Sequence, residues 1–168
     1  MDMRGLRALI VLASIAALTV GLLAVQASAS PGSHMKSTFK AHLDGDSTGS
    51  RGQGQAIFKL SKDGSEIHYK LNVANIDEIT MVHIHLADEP GGNGPPVVWL
   101  YPDAPPQAAP SGRVNGTLAE GTITADSLVG PLAGESLEDL VNAFRGGLTY
   151  VNVHTVDHAG GEIRGDIS

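Results

Sequence analysis

Strict alternation of apolar and polar residues is the feature that most limits how this chain can fold. Between Ile67 and Val73 every second residue is apolar, and the alternation returns between Val82 and Leu86, after a turn at Asn75 to Glu78. Because successive side chains of a β-strand point to opposite faces, this period is typical of strands with one buried face. Further strands are predicted over Thr38–Leu43, Gln55–Ser61, Val97–Tyr101, Arg113–Thr124, Leu148–Thr155 and Glu162–Ile167.

One helix and many turns complete the predicted elements. Ser136 can cap a helix with Asp139 at its third position, and apolar residues follow at helical spacing to Phe144. Arg113–Thr124 is expected to form one strand, or two strands if the chain turns at Asn115-Gly116. The chain has 168 residues with 21 glycines and 9 prolines, and strands do not alternate with helices. We therefore predict one all-β domain, an antiparallel barrel or sandwich of about eight strands with Greek-key connections and one short helix.

The N-terminal residues have the composition of an export signal. Met1 to Arg7 contains two arginines, Ala8 to Val25 carries no charge, and Ala27-Ser28-Ala29 offers small residues at the cleavage spacing. The competing interpretation is an uncleaved membrane anchor, since 18 apolar residues are at the lower limit for a bilayer span. We expect residues 1–29 to be a signal peptide, 30–35 a linker or cloning remnant, and 36–168 the domain, secreted or held in the cell envelope.

Charge and cysteine content narrow the classes of function. The chain has 18 acidic and 11 basic residues and a net charge of −7, which disfavours nucleic acid as a partner because phosphate contacts need clustered Lys and Arg. There is no cysteine, which excludes disulfides, thiolate catalysis and zinc fingers. Any metal site must therefore use histidine and carboxylate ligands.

Histidines supply the candidate site. His83 and His85 share one strand face, where alternation sets their Cα atoms ~6.5–7 Å apart, so that their imidazoles can converge on one ion. If Ala74 opposes Ile79 in a hairpin, His68 lies opposite His85 and becomes a further candidate ligand.

His154 ends the outward face of a later strand and is the remaining candidate ligand, whereas His42 is expected to be structural or solvated. A set of imidazoles without thiolates suits copper first and zinc as the alternative. The competing interpretation is that outward histidines are simply solvated. His158, in a loop, is open to either interpretation.

Two sequence blocks in fixed order resemble a known family. His83-Ile84-His85 is followed by Gly92-Asn93-Gly94-Pro95, and Tyr150–Thr155 leads into Gly161–Gly165. Over Lys36 to Ser168 the chain resembles a CHRD domain, the module named from chordin and widespread in microbial exported proteins. The resemblance implies an Ig-like β-barrel with a distant likeness to copper/zinc superoxide dismutases.

The dismutase likeness implies roles for particular residues. His83, His85 and His154 match the copper ligands, and Arg164 matches the arginine that attracts the anion, although a structural salt bridge would also explain Arg164. There is no cysteine pair and no histidine between His85 and His154, so the resemblance carries over only a copper site, with His68 as a replacement fourth ligand.

Three functions remain open at this stage. The first is an exported protein with a mononuclear copper ion, for which superoxide dismutation is the candidate activity and a small anion the expected partner. The others are a non-catalytic extracellular binding or adhesion module and a copper carrier without turnover. A membrane is a partner only if the N-terminal segment is not cleaved, and the sequence leaves the oligomeric state open.

Overall fold

The computed structural model describes residues 36–106, 108 and 112–168, so the predicted signal peptide and linker lie outside the described residues. Within this part of the chain there are eight strands, one α-helix and two single 3-10 turns. The strands are β1 (Thr38–Asp44), β2 (Gln53–Leu60), β3 (Ile67–Ile76), β4 (Ile79–Leu86), β5 (Pro96–Tyr101), β6 (Val114–Ile123), β7 (Thr149–Thr155) and β8 (Ile163–Asp166); the helix α1 spans Leu137–Arg145.

The strands form one antiparallel sheet in the order β5-β4-β7-β8-β1-β2-β3-β6. The two end strands, β5 and β6, contact each other. The hydroxyl of Tyr69 on β3 donates to the carbonyl of Leu100 on β5 at 2.9 Å, so the sheet curls into a nearly closed barrel. The all-β fold class, the number of strands and the single helix are confirmed.

Apolar residues at alternating positions fill the interior of this barrel. On β3, Ile67, Leu71 and Val73 are buried while Lys70 between them is exposed. Fully burying a side chain of this size stabilises the fold by about 1.5–3 kcal/mol. The predicted face of β3 is therefore the core face.

The helix α1 closes part of the barrel with its apolar face. Phe144 packs its ring against Phe39 at 5.2 Å and against Phe58 at 5.4 Å between centroids. The helix begins as predicted, because the Ser136 amide donates to the carboxylate of Asp139 at 3.0 Å in a capping box.

The predicted hairpin of the third and fourth strands is wrong. β3 and β4 are consecutive in sequence but do not pair, because β3 lies between β2 and β6 and β4 between β5 and β7. Asn75, near the end of β3, and Glu78, in the two-residue connection from β3 to β4, are left-handed, with φ of 57° and 51°. Of the two alternatives for Arg113–Thr124, the structure has the single strand: residues 114–123 form β6 with two register shifts against β3, and the chain does not turn back at Asn115-Gly116.

Candidate metal centre

Strands β4 and β7 bring three of the predicted ligands together. His83 pairs with Asn152 and His154 pairs with Met81, so all these side chains share the sheet face that points away from the core. The ring centroids of His83 and His85 are 5.6 Å apart, those of His83 and His154 5.3 Å, and those of His85 and His154 5.7 Å. One nitrogen of each ring lies within 4.8 Å of the other two.

These histidines point away from the core but not into solvent. His83 is 4% exposed, His85 8% and His154 6%. The competing interpretation, that these outward histidines are simply solvated, is therefore wrong. The segments that follow β4 and β7 fold back over this face and cover it.

Backbone carbonyls fix the protonation of two of the rings. Nδ1 of His85 lies 2.8 Å from the carbonyl oxygen of Gly94, and Nδ1 of His154 lies 2.9 Å from that of Ala159. A carbonyl oxygen only accepts, so in each neutral imidazole Nδ1 carries the hydrogen and Nε2 carries a free lone pair. Metal-bound histidines are held in this way by their second ring nitrogen.

The remaining ring nitrogens of the three histidines are buried and have no hydrogen-bond partner among the described residues. These atoms are Nε2 of His85, Nε2 of His154 and both ring nitrogens of His83. An unsatisfied buried polar atom costs about 1–3 kcal/mol, and native proteins contain few of them. Converging lone pairs on three such rings are what a transition metal would satisfy, so the residues present fit a metal ion.

Burial keeps the rings in the protonation state that binds metal. Burial lowers the pKa of His83 to about 4, and the nearby rings of His154 and His85 lower it further. Burial also lowers the pKa of His85 and of His154. All three are therefore neutral at pH 7, and ligands must be unprotonated to bind a metal.

Aromatic side chains hold two of the rings from outside the cluster. Trp99 on β5 pairs with His83 and meets its ring edge to face, with centroids 4.2 Å apart and an interplanar angle of 88°. Tyr150 on β7 stacks on His85 at 4.8 Å and 9°. Neither residue is predicted as part of the site from the sequence, because strand alternation gives the face of a side chain but not which strand lies next to it.

Arg164 lies beside the cluster and is engaged by other groups. Its guanidinium is 3.7 Å from the centroid of the Tyr150 ring and donates to the side chain of Asn93 at 2.7 Å and the carbonyl of Gly92 at 3.0 Å. These contacts hold the segment that supplies the Gly94 carbonyl to His85. Arg164 therefore positions the loop around the site.

A cavity opens beside two of the three histidines. Its volume is about 500 Å³, and its lining includes His85, His154, Asn152, Tyr150 and Arg164 but not His83. The cluster is thus adjacent to open space on the β8 side, whereas Trp99 contacts it on the β5 side.

Hydrogen bonds tie the loop after β7 in place. The Glu162 carboxylate accepts from the hydroxyl of Ser50 at 2.6 Å and from that of Thr155 at 2.8 Å. The amide nitrogen of Asn152 donates to the carbonyl of Gly160 at 3.1 Å, next to Ala159, which holds His154. The position of His154 thus depends on a loop that two other segments anchor.

The structure does not bring His68 to the cluster. His68 lies on β3, 59% of its side chain is exposed, and its Nδ1 is 3.1 Å from the hydroxyl of Thr122. The pairing that made it a candidate was the hairpin of β3 with β4, which does not form. His42 is exposed on β1, as expected, and the ring of His158 is not part of the cluster.

None of the helices among the described residues is long and apolar enough to cross a membrane.

Comparison with known proteins identifies the family to which this chain belongs. A comparison with curated proteins found no match. The family model for the CHRD domain, a module of extracellular type, matches residues 39–167. This match covers most of the chain, and the chain therefore belongs to the CHRD domain family.

Proposed function

We propose that this chain is an exported protein that binds one copper ion through His83, His85 and His154. The observation that supports it is the convergence of buried, unpartnered imidazole nitrogens within 4.8 Å of one another. Nε2 of His85 and Nε2 of His154 are the ligand atoms, since their Nδ1 atoms are engaged with carbonyls. Copper is preferred and zinc is the alternative, because imidazole suits both ions.

The remaining residues would orient the ligands and limit access to the ion. When bound, copper would supply one-electron redox chemistry. The carbonyls of Gly94 and Ala159 hold two rings, Trp99 contacts the third, and the cavity beside His85 leaves room for a small external ligand. A purely adhesive scaffold gives no reason to bury unpartnered nitrogens at the cost described above.

Copper loading tests this proposal. We expect the full chain to bind one equivalent of copper, measured by metal analysis after removal of loose ions. His85→Ala should lower the stoichiometry to near zero, whereas His68→Ala, on the exposed face of β3, should leave it at one. Failure of the unmodified chain to retain copper would leave the binding or adhesion module as the better reading.

Superoxide dismutation is the second candidate function. It is favoured by the cavity next to His85 and His154, which Arg164 lines with a positive charge. Two facts count against a fast enzyme. The guanidinium is already engaged by Asn93 and Gly92, and residues 30–168 carry 9 basic and 17 acidic groups, which repel an anion at long range.

Superoxide consumption by the copper-loaded chain separates the enzyme from the carrier. If the chain is an enzyme, Arg164→Gln should lower the rate at least tenfold at unchanged copper content, and added salt should change the rate of the unmodified chain. One equivalent of bound copper without superoxide consumption above that of the metal-free chain would identify a carrier.

A further inference from the structure

The three histidine ligands of the candidate metal centre carry no negative charge. Within the described residues, the only ligands that converge are three imidazoles, with no carboxylate among them. The carboxylate of Glu162, in the adjacent loop, is hydrogen-bonded to Ser50 and Thr155. The guanidinium of Arg164 lines the adjacent cavity, and its Nη2 lies 3.6 Å from a carboxylate oxygen of Asp166. None of the three converging ligands would therefore neutralise the charge of a bound ion.

On the β5 side, away from the cavity beside His85 and His154, the surroundings of the cluster are poor at solvating that charge. The three rings are nearly inaccessible to solvent, and the rings of Trp99 and Tyr150 pack against His83 and His85. The cost of moving an ion from water into such a medium is large, and in the Born description it grows with the square of the charge. A divalent ion is therefore penalised more strongly than a monovalent one.

The number of protein ligands also favours a monovalent ion. The cluster supplies three protein ligands, whereas structural zinc sites almost always have four, catalytic zinc sites add a water to three, and Cu(II) favours tetragonal surroundings. A monovalent ion with a filled d shell is suited to three neutral ligands without a further one. Copper is the ion of this kind that imidazoles bind.

From the charge, the burial and the ligand number, we propose that this centre holds copper preferentially as the cuprous ion, and that Trp99 is a positioning residue for that preference. This inference rests on the proposed copper-binding function. Trp99 is the single tryptophan of the chain and the cross-strand neighbour of His83, the one ligand without a carbonyl at its ring. Its edge-to-face contact both orients His83 and keeps water from that side of the cluster.

The test compares dissociation constants for the two copper ions on the full chain. Cu(I) is measured anaerobically with ascorbate against a chromophoric Cu(I) chelator, and Cu(II) against an amino-acid chelator. We expect Cu(I) to bind at least tenfold more tightly, and each tenfold raises the reduction potential of the bound couple above that of the free ions by 59 mV. Redox titration of the loaded chain gives the same quantity independently.

Two variants at one position test the role of Trp99. Trp99→Phe keeps an aromatic ring beside His83 and should keep the ratio of the two constants within threefold of the unmodified value. Trp99→Gln admits water and should lower this ratio at least tenfold, with circular dichroism confirming that the variant is folded. An unchanged ratio in a folded Trp99→Gln chain would overturn the role of Trp99.

The outcomes distinguish the two proposals. Binding of one equivalent of Cu(II) or zinc as tightly as Cu(I) would overturn the cuprous preference and leave the proposed metal-binding function standing. If neither copper ion binds at one equivalent, the proposed function and this inference both fail. Quenching of Trp99 fluorescence at one equivalent of copper would support binding at this site, next to His83.

Discussion

His68 and His83 lie at equivalent positions on two strands that are consecutive in sequence, but their environments are opposite. His68 on β3 and His83 on β4 both alternate with core residues and both point away from the barrel interior. The side chain of His68 is mostly exposed and contacts Thr122, whereas His83 is buried and neither of its ring nitrogens has a hydrogen-bond partner among the described residues. The same alternation thus produces a solvated residue on one strand and a candidate ligand on the next.

The difference comes from what covers the outer face of each half of the barrel. β3 lies between β2 and β6, where the outward neighbours of His68 are Lys59 and Thr122, both exposed. β4 lies between β5 and β7, where Trp99 and the loops carrying Gly94 and Ala159 close over the histidines. A covered outer face forms a second interior, and polar groups buried there need a partner.

The largest effect is expected from a glycine in the covering loop. Gly161 has φ of 116°, which side-chain-bearing residues rarely adopt, and a Cβ there would overlap the buried amide of Asn152. We expect Gly161→Ala to lower the free energy of unfolding by about 3–4 kcal/mol and to weaken copper binding, since the loop also holds His154. Urea unfolding and copper stoichiometry measure the two effects.

Gly64 is the matched control on the open half of the barrel. It has φ of 75°, and a Cβ there would meet nothing within 4 Å. Gly64→Ala should cost only the backbone strain, about 1–2 kcal/mol, and should leave copper binding unchanged. Equal losses of stability in the two variants would contradict the idea that the covered face is packed as an interior.

The second largest effect is expected from pH: the free energy of unfolding of the metal-free chain should fall as the pH is lowered. The pKa of His83 is lowered to about 4 from an unfolded value near 6.5, so the unfolded chain binds more protons between these values. The contribution of neutral His83 is fully present above pH 6.5 and is lost as the pH falls toward 4. By pH 4.5 we expect a loss of about 2–3 kcal/mol from this residue.

Urea unfolding in the presence of a metal chelator measures this loss. The variant His83→Leu removes the titrating ring, so the difference in the free energy of unfolding between the unmodified chain and this variant should change with pH by that amount. A flat difference for His83 would mean that its ring is solvated in the folded chain.

Most of the fold could be predicted from the sequence because alternation and capping are local. The strands, the core face of β3 and the helix start at Ser136 depend on residues a few positions apart. The sheet order depends on contacts between distant segments, and the expected hairpin of β3 with β4 is absent because each strand pairs with other partners. Asn75 is of a type that often adopts the left-handed region, but this local signal does not tell which strands pair.

The candidate site could be predicted only in part for the same reason. His83, His85 and His154 were found from residue type and strand face alone. Their burial, the carbonyls of Gly94 and Ala159 and the contact of Trp99 come from loops and strands whose placement the sequence pattern does not encode. His68 was predicted from a register between two strands that do not pair, so one wrong strand pairing led to one wrong candidate ligand.

A smaller effect of opposite sign is expected from His83 itself. In the metal-free chain its two ring nitrogens are buried without partners. His83→Leu removes these atoms and should raise the free energy of unfolding by about 1–2 kcal/mol at pH 7 with chelator present, while abolishing copper-dependent stabilisation. Thermal unfolding with and without copper measures both. A stability loss without metal would mean that His83 is a structural residue.

The smallest effect is expected from an ion pair on the open face. Nζ of Lys70 lies 3.5 Å from a carboxylate oxygen of Glu120, and both side chains are at least half exposed. Exposed pairs gain little because water screens them, so Lys70→Met should change the free energy of unfolding by less than about 0.5 kcal/mol.

Glu162→Gln on the covered half, which weakens the bonds to Ser50 and Thr155, should cost about 1–3 kcal/mol in the same urea assay. If Lys70→Met cost as much as Glu162→Gln, the outer face of β3 would be as tightly organised as that of β4, and burial would no longer explain why only one of the two carries unpartnered histidines.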